Sequence, residues 1–272
     1  MALVPFPGSQ LGAFSTPPDD DDEDDGSGSK MSFLEHLDEF RKRIIHALLG
    51  VVVGVFIAFA FIGRIVNFIW GPMRKVLPAG VKLIYTEPAE AFSLNIQISL
   101  LAGVLLAAPW VMYQVWLFIS PGLHSNEKKF AIPFVLFTTL GLLFGAAFNH
   151  YIAFPFMMRF LASFSGVDLV FMPKISETFD MYLKMALGMA VVFQLPTVVY
   201  FLAKLNLVSA HFLWSKGKYA ILLAFIIGAV VTPTGDPVNQ TIFAAPIVIL
   251  YFLSIIIAWV VGPKGRKAPP AD

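Results

Sequence analysis

An all-α polytopic membrane protein with six transmembrane helices and both termini on the cytoplasmic side is the fold class this sequence predicts, from three observations. Of its 272 residues, 57% are hydrophobic and only 14% charged, and the mean hydropathy is +0.75, too apolar for a domain that must cover itself with polar side chains. Apolar runs recur at Ile44 to Ile62, Ile98 to Ile119, Phe130 to Phe148, Met181 to Ala203, Tyr219 to Val231 and Ile242 to Val261, most of them close to the ~20 residues a helix needs to cross ~30 Å of hydrocarbon. The charged residues sit between those runs.

In chain order, residues 1–30 are rich in Pro, Gly, Ser and Asp, and carry seven consecutive acids from Asp19 to Asp25. Too few apolar residues are present to offset the entropy of ordering, so a disordered, solvated extension is predicted. It lacks the basic start and apolar core of a signal peptide, and Met31 is a candidate alternative initiation site. An amphipathic helix over 32–43 follows, lying on the membrane surface. Phe33, Leu37, Phe40 and Ile44 recur on one face, and Ser32 with Glu35 reads as a capping box. Residues 31–261 form the membrane domain and 262–272 a cytoplasmic tail.

Six spans return the chain to its starting side, which basic residues identify as cytoplasmic. Of the 19 Lys and Arg, twelve fall on the terminal side and seven opposite, among them Arg64, Arg74, Lys75, Lys82 and Arg159. The fifth run is short and must draw in flanking residues such as Phe212 to Trp214 or thin the bilayer. The outer loops Gly63 to Glu90 and Asn149 to Thr178 are long and partly apolar, and are expected to fold against the membrane as caps. Pro109, Pro133, Pro155, Pro196 and Pro246 lie in or beside spans, which predicts kinks and a curved bundle.

Enzyme motifs fail. No HExxH, GxSxG or glycine-rich phosphate loop is present. Asp180 and Asp236 fall short of an intramembrane aspartyl protease, because Pro233-Thr234-Gly235-Asp236 lacks the first glycine of GxGD. The five histidines have no ligand spacing, and no cysteine exists to form a thiolate site. No cofactor or metal is expected.

What remains is a pair of carboxylates among basic residues, Glu39 and Glu127. Their plain readings are an ion pair from Glu39 to Arg43 one turn on, and for Glu127 a favourable place near a helix start. The functional reading is that both bind cationic side chains, for which a guanidinium fork is best suited. Gln194 is costly within a span unless it faces the bundle or bonds an opened carbonyl near Pro196. For Pro72 and Asp236, a helix stop and a loop cap compete with a role in the outer loops.

The motifs His36-Leu37-Asp38-Glu39-Phe40-Arg41-Lys42-Arg43 and Tyr113-Gln114-Val115-Trp116-Leu117-Phe118-Ile119-Ser120-Pro121-Gly122-Leu123 through Glu127-Lys128-Lys129 resemble the HLxELRxR and YQxWxFIxPxLxxxEKR blocks of the TatC family, the core subunit of the twin-arginine protein translocase. Gly71-Pro72, Phe193-Gln194-Leu195-Pro196 and Thr232-Pro233 with Asp236 also match, and the resemblance covers Met31 to about Lys267. It implies a glove-like bundle in the bacterial inner membrane, driven by the proton motive force. Glu39 and Glu127 would receive the paired arginines of a signal peptide on a folded cargo protein, with Arg41 and Phe118 shaping the site. Gln194, Pro72, Asp236 and Pro121 would serve partner contact or translocation, with TatA or TatB docking along the fifth and sixth helices, alongside self-assembly and lipid contact. Where many relatives carry glutamate, this chain has the neutral Gln194, a departure that weighs against a proton-binding role there. Phe40 for leucine and the Thr234-Gly235 insertion are further departures. A small-solute secondary transporter using Gln194 and Asp236 is the alternative.

Overall fold

The computed structural model describes residues 33–76, 83–122, 131–166, 170–232 and 235–262. Ser32, Glu127, the acidic extension and the tail beyond Gly262 lie outside them. Within them the chain is all-helical, as its composition and apolar runs predict. The helices are α1 (Phe33–Ala60), α2 (Ile62–Val76), α3 (Glu90–Ile119), α4 (Ala131–Phe148), α5 (Phe154–Ala162), α6 (Ile175–Val192), α7 (Leu195–Lys204), α8 (Ala210–Ser215), α9 (Gly217–Val231) and α10 (Pro237–Val261). Five stretches are long and apolar enough to cross a membrane: Leu34–Ala60, Glu90–Ile119, Ala131–Ala162, Ile175–Lys204 and Pro237–Val261. The 15 residues of α9 rise only about 22 Å.

Side-chain size is distributed as lipid contact requires. The buried residues of α4 are Thr138, Thr139 and Gly145, and those of α9 are Ala224 and Gly228, whereas Ile132 is 80% and Val230 81% exposed. Lipid tails solvate leucine as well as a protein core does, so close backbone approach, not apolar burial, joins these helices. The spans pack as a row: α1 against α3, α3 against α4, α4 against α6, and α10 against both α7 and α9.

Three sequence expectations need correction. The charged stretch 33–43 is not a separate surface helix, because α1 runs unbroken for 28 residues, about 42 Å. Its first turns overhang the hydrocarbon as an extension of the first span; nothing between Arg43 and Ile44 breaks a helix. The predicted loop from Asn149 is helical to Ala162, continuing α4 through a single wide turn at Asn149–Ala153. Buried Asn149 and His150 make this possible by donating to the Tyr182 carbonyl (3.4 Å) and pairing with the Tyr182 hydroxyl (3.2 Å). Nor does Pro72 stop α2, which continues to Val76. Because α2 ends a turn later, Pro72 disrupts little: Asn67, Arg74 and Lys75 beside it are exposed.

The large-residue core sits at the end of the row beside α2. That helix turns Ile69, Trp70 and Met73 onto Leu94, Phe154 and Phe179, the three-and-four spacing of an amphipathic helix. Two connecting segments are tied together there. Ile84 donates to Pro173 and accepts from Ile175. Glu90, 6% exposed, accepts from the backbone NH groups of Thr86 (2.9 Å), Glu87 (3.3 Å) and Ser176 (3.1 Å).

Candidate peptide-binding site

The first turns of α1 meet the last turn of α3. Phe118 stacks on His36 with ring centroids 4.5 Å apart and tilts against Phe40 at 5.1 Å. These contacts join residues far apart in sequence. On the same helix, Glu39 Oε1 accepts from Arg43 Nη2 at 2.9 Å, so the plain i,i+4 pair is formed. Yet the Glu39 side chain is only 14% exposed, and both its Oε2 and Arg43 Nε are buried without a hydrogen-bond partner among the described residues. A carboxylate shielded from water and half satisfied is a costly arrangement, and its second oxygen is suited to another cationic donor.

Arg41 is exposed. Pro121 lies in the tight turn Ser120–Gly122 that follows Ile119 at the end of α3. Glu127 follows Gly122 by five residues in the sequence and lies outside the described residues. His36 is the residue that sequence reasoning missed: the motif contains it, but its stacking on Phe118 is a contact between two helices that spacing does not reveal.

Gln194 stands where α6 gives way to α7, one residue before Leu195 begins α7 and two before Pro196. Its Nε2 donates to the Thr138 carbonyl of α4 at 2.9 Å, so its partner is not the carbonyl opened by Pro196. The reason is proximity: Gly141 has no side chain, and a Cβ there would come within 2.9 Å of the Phe193 carbonyl oxygen and 3.3 Å of Gln194 Oε1. Gln194 also lines an apolar cavity of about 380 Å³ with Trp116, Phe134 and Phe201. It is not brought together with Glu39 in any bond or ring contact of the described residues.

Asp236 caps α10. Its Oδ1 accepts from the Asn239 backbone NH and its Oδ2 from the Asn239 amide, each at 2.8 Å. The left-handed φ of +60° at Gly235 delivers it there. The loop-cap reading is therefore realised. Asp236→Ala is expected to lower stability by about 1 kcal/mol, read as a lower melting temperature in detergent, with Asp236→Ser losing less. No cluster of three or more His, Asp or Glu that could hold a metal occurs among the described residues.

Comparison with known proteins bears on the family and the fold. The family model "Sec-independent protein translocase protein (TatC)" matches residues 35–246. The TatC protein of Koribacter versatilis (strain Ellin345) is 40% identical over 240 residues, spanning 87% of this chain and 88% of that one. That of Aquifex aeolicus (strain VF5) is 34% identical over 245 residues, spanning 89% of this chain and 100% of that one. A crystal structure of the twin-arginine translocase receptor TatC superposes with a TM-score of 0.71 at 34% identity, covering 82% of this chain and 97% of that chain. A second, in DDM, gives 0.73 and covers 82% and 99%.

Proposed function

Since the chain belongs to the TatC family of Sec-independent protein translocase components, a membrane receptor family and not an enzyme family, we propose that it is the receptor that reads twin-arginine signal peptides of folded cargo proteins at the cytoplasmic face. The supporting observation is the Glu39 carboxylate, shielded and with Oε2 unpartnered, beside the aromatic contact of Phe118 with His36 and Phe40. A carboxylate held this way favours a planar guanidinium, which fills two acceptor positions at once and stacks on rings. Glu127 supplies the second carboxylate for the paired arginine. Arg41 and Phe118 shape the site, and Pro121, in the turn after α3, serves partner contact or translocation.

We infer six spans, counting α9, with both termini cytoplasmic in a bacterial inner membrane, a reading supported by the twelve-to-seven split of basic residues between the two sides. The short α9, separated from α8 by Lys216, supports a locally thinned bilayer where TatA or TatB docks along α9 and α10, near Asp236 and Gln194. The proton motive force drives transport, and copies of the chain assemble with one another.

The test uses a photoreactive phenylalanine analogue in place of Phe40, which leaves Glu39 intact. Detergent-solubilised protein is irradiated with an Arg-Arg signal peptide or its Lys-Lys version. A strong adduct with Arg-Arg alone is expected; equal adducts with both peptides would remove the receptor assignment from Glu39.

A further inference from the structure

At the other end of the bundle, α2, α5 and the wide turn before α5 line an open, largely apolar cavity of about 380 Å³ whose lining includes Asn67, Phe68, Pro72, Lys75, Tyr151 and Arg159. Its depth in the membrane follows from helix geometry. From Ala131, where α4 begins, to His150 the helix climbs about 28 Å, which matches the ~30 Å hydrocarbon thickness. The cavity therefore lies at the headgroup level of the leaflet opposite the amino end of α1. Aromatic residues mark the same boundary: Phe68 is 56% and Tyr151 62% exposed, as in the belts found at membrane interfaces.

The charge there is one-sided. Lys75 and Arg159 are exposed and line the cavity. Arg74 stands beside them, held by its 2.9 Å bond to Asn67 Oδ1. No carboxylate among the described residues lines the cavity; Glu90 accepts three backbone NH groups, Glu87 faces Lys174 at 3.8 Å, and Glu177 and Asp180 of α6 are exposed. Beneath the cations the floor is apolar and rigid, with the buried His150 ring stacked on Phe68 at 4.3 Å and tied to Tyr182. Cations over an apolar floor at headgroup depth match one ligand chemistry, a phosphodiester carrying acyl chains.

We propose that the cavity between α2 and α5 binds the phosphate of an anionic phospholipid, its headgroup held by Lys75 and Arg159 and its glycerol and upper acyl chain laid against Phe68 and Tyr151. This accounts for basic residues on a face where the positive-inside tendency disfavours them. It makes the lipid a structural ligand that clamps α2 to α5, and it is independent of what the opposite face recognises.

The full chain, purified and delipidated in detergent, is titrated with phosphatidylglycerol, phosphatidylcholine or inorganic phosphate while its melting temperature is followed. Phosphatidylglycerol alone is expected to raise it. In Lys75→Gln/Arg159→Gln the half-maximal lipid concentration is expected to rise at least tenfold, corresponding to about 1.4 kcal/mol; Lys75→Arg/Arg159→Lys restores the response and Lys216→Gln/Lys218→Gln, on another segment, leaves it unchanged. Retention of bound phosphatidylglycerol in native mass spectrometry, scored on folded protein, should fall in the same double variant. An equal shift with phosphatidylcholine, the full shift with inorganic phosphate, or an unchanged response and retention in the double variant would each overturn the proposal.

Discussion

Glu39→Gln is expected to weaken binding of an Arg-Arg signal peptide by about tenfold to a hundredfold while leaving the protein folded. The size follows from the charge-assisted bonds removed, worth about 1.5–3 kcal/mol, at about 1.4 kcal/mol per tenfold. The amide keeps the shape of the carboxylate, so packing against neighbouring residues survives. Arg43→Gln separates the two roles of Glu39. If that carboxylate exists only to pair with Arg43 at 2.9 Å, both variants lose about 0.5 kcal/mol of stability, the scale of a one-turn helix pair, and neither loses peptide. If Glu39 is the receptor carboxylate, Arg43→Gln retains most of the affinity because the peptide's guanidinium supplies the missing cation. Exposed Asp38, changed to Asn, is the control for general loss of negative charge. Fluorescence anisotropy with a labelled peptide, run beside melting curves, reads all three. Equal affinity of wild type and Glu39→Gln would sink the assignment.

The spans were legible in the sequence because a bilayer imposes a length and a polarity that few other environments demand. Their ends were not. Asn149, His150 and Tyr151 look like the start of a loop, yet the helix continues because Tyr182, on another span, supplies bonds for the first two. Charge density made 33–43 look like an independent surface helix, though only a breaker after Arg43 could have made it one. The site divides in the same way. Glu39 with Arg43 is an i,i+4 relation that spacing alone reveals. Phe118 against His36 is a tertiary contact between residues on different spans, which no local periodicity encodes, and only the resemblance of the surrounding motif pointed to Phe118. For Gln194, local reasoning supplied a plausible partner beside Pro196, whereas the observed one is the Thr138 carbonyl, 56 residues away.

Gly103→Ala is expected to be strongly destabilising, and to reach the binding site from the middle of the helix pair that carries it. A Cβ at Gly103 would stand 2.6 Å from Val55 N and from Val55 Cα, and one at Gly54 would collide with the Gly103 carbonyl oxygen. These contacts are with backbone, so no rotamer change relieves them and α1 must move away from α3. Overpacking in a well-packed interior costs about 1–3 kcal/mol, occasionally more; with backbone on both sides the upper part of that range is expected. The consequence is directional. Glu39 rides on α1 and Phe118 on α3, so separating the helices pulls Phe118 from His36 and Phe40 while Glu39 itself is untouched. Melting temperature should fall, spin labels at positions 37 and 119 should move apart, and peptide affinity should fall with them. Gly63→Ala and Gly71→Ala provide the contrast: nothing lies within 4 Å of either new Cβ, and helix propensity favours alanine by up to about 1 kcal/mol. If Gly103→Ala separated the labels yet kept full affinity, the aromatic contact with Phe118 would be a packing feature only, and recognition would rest on the carboxylates alone.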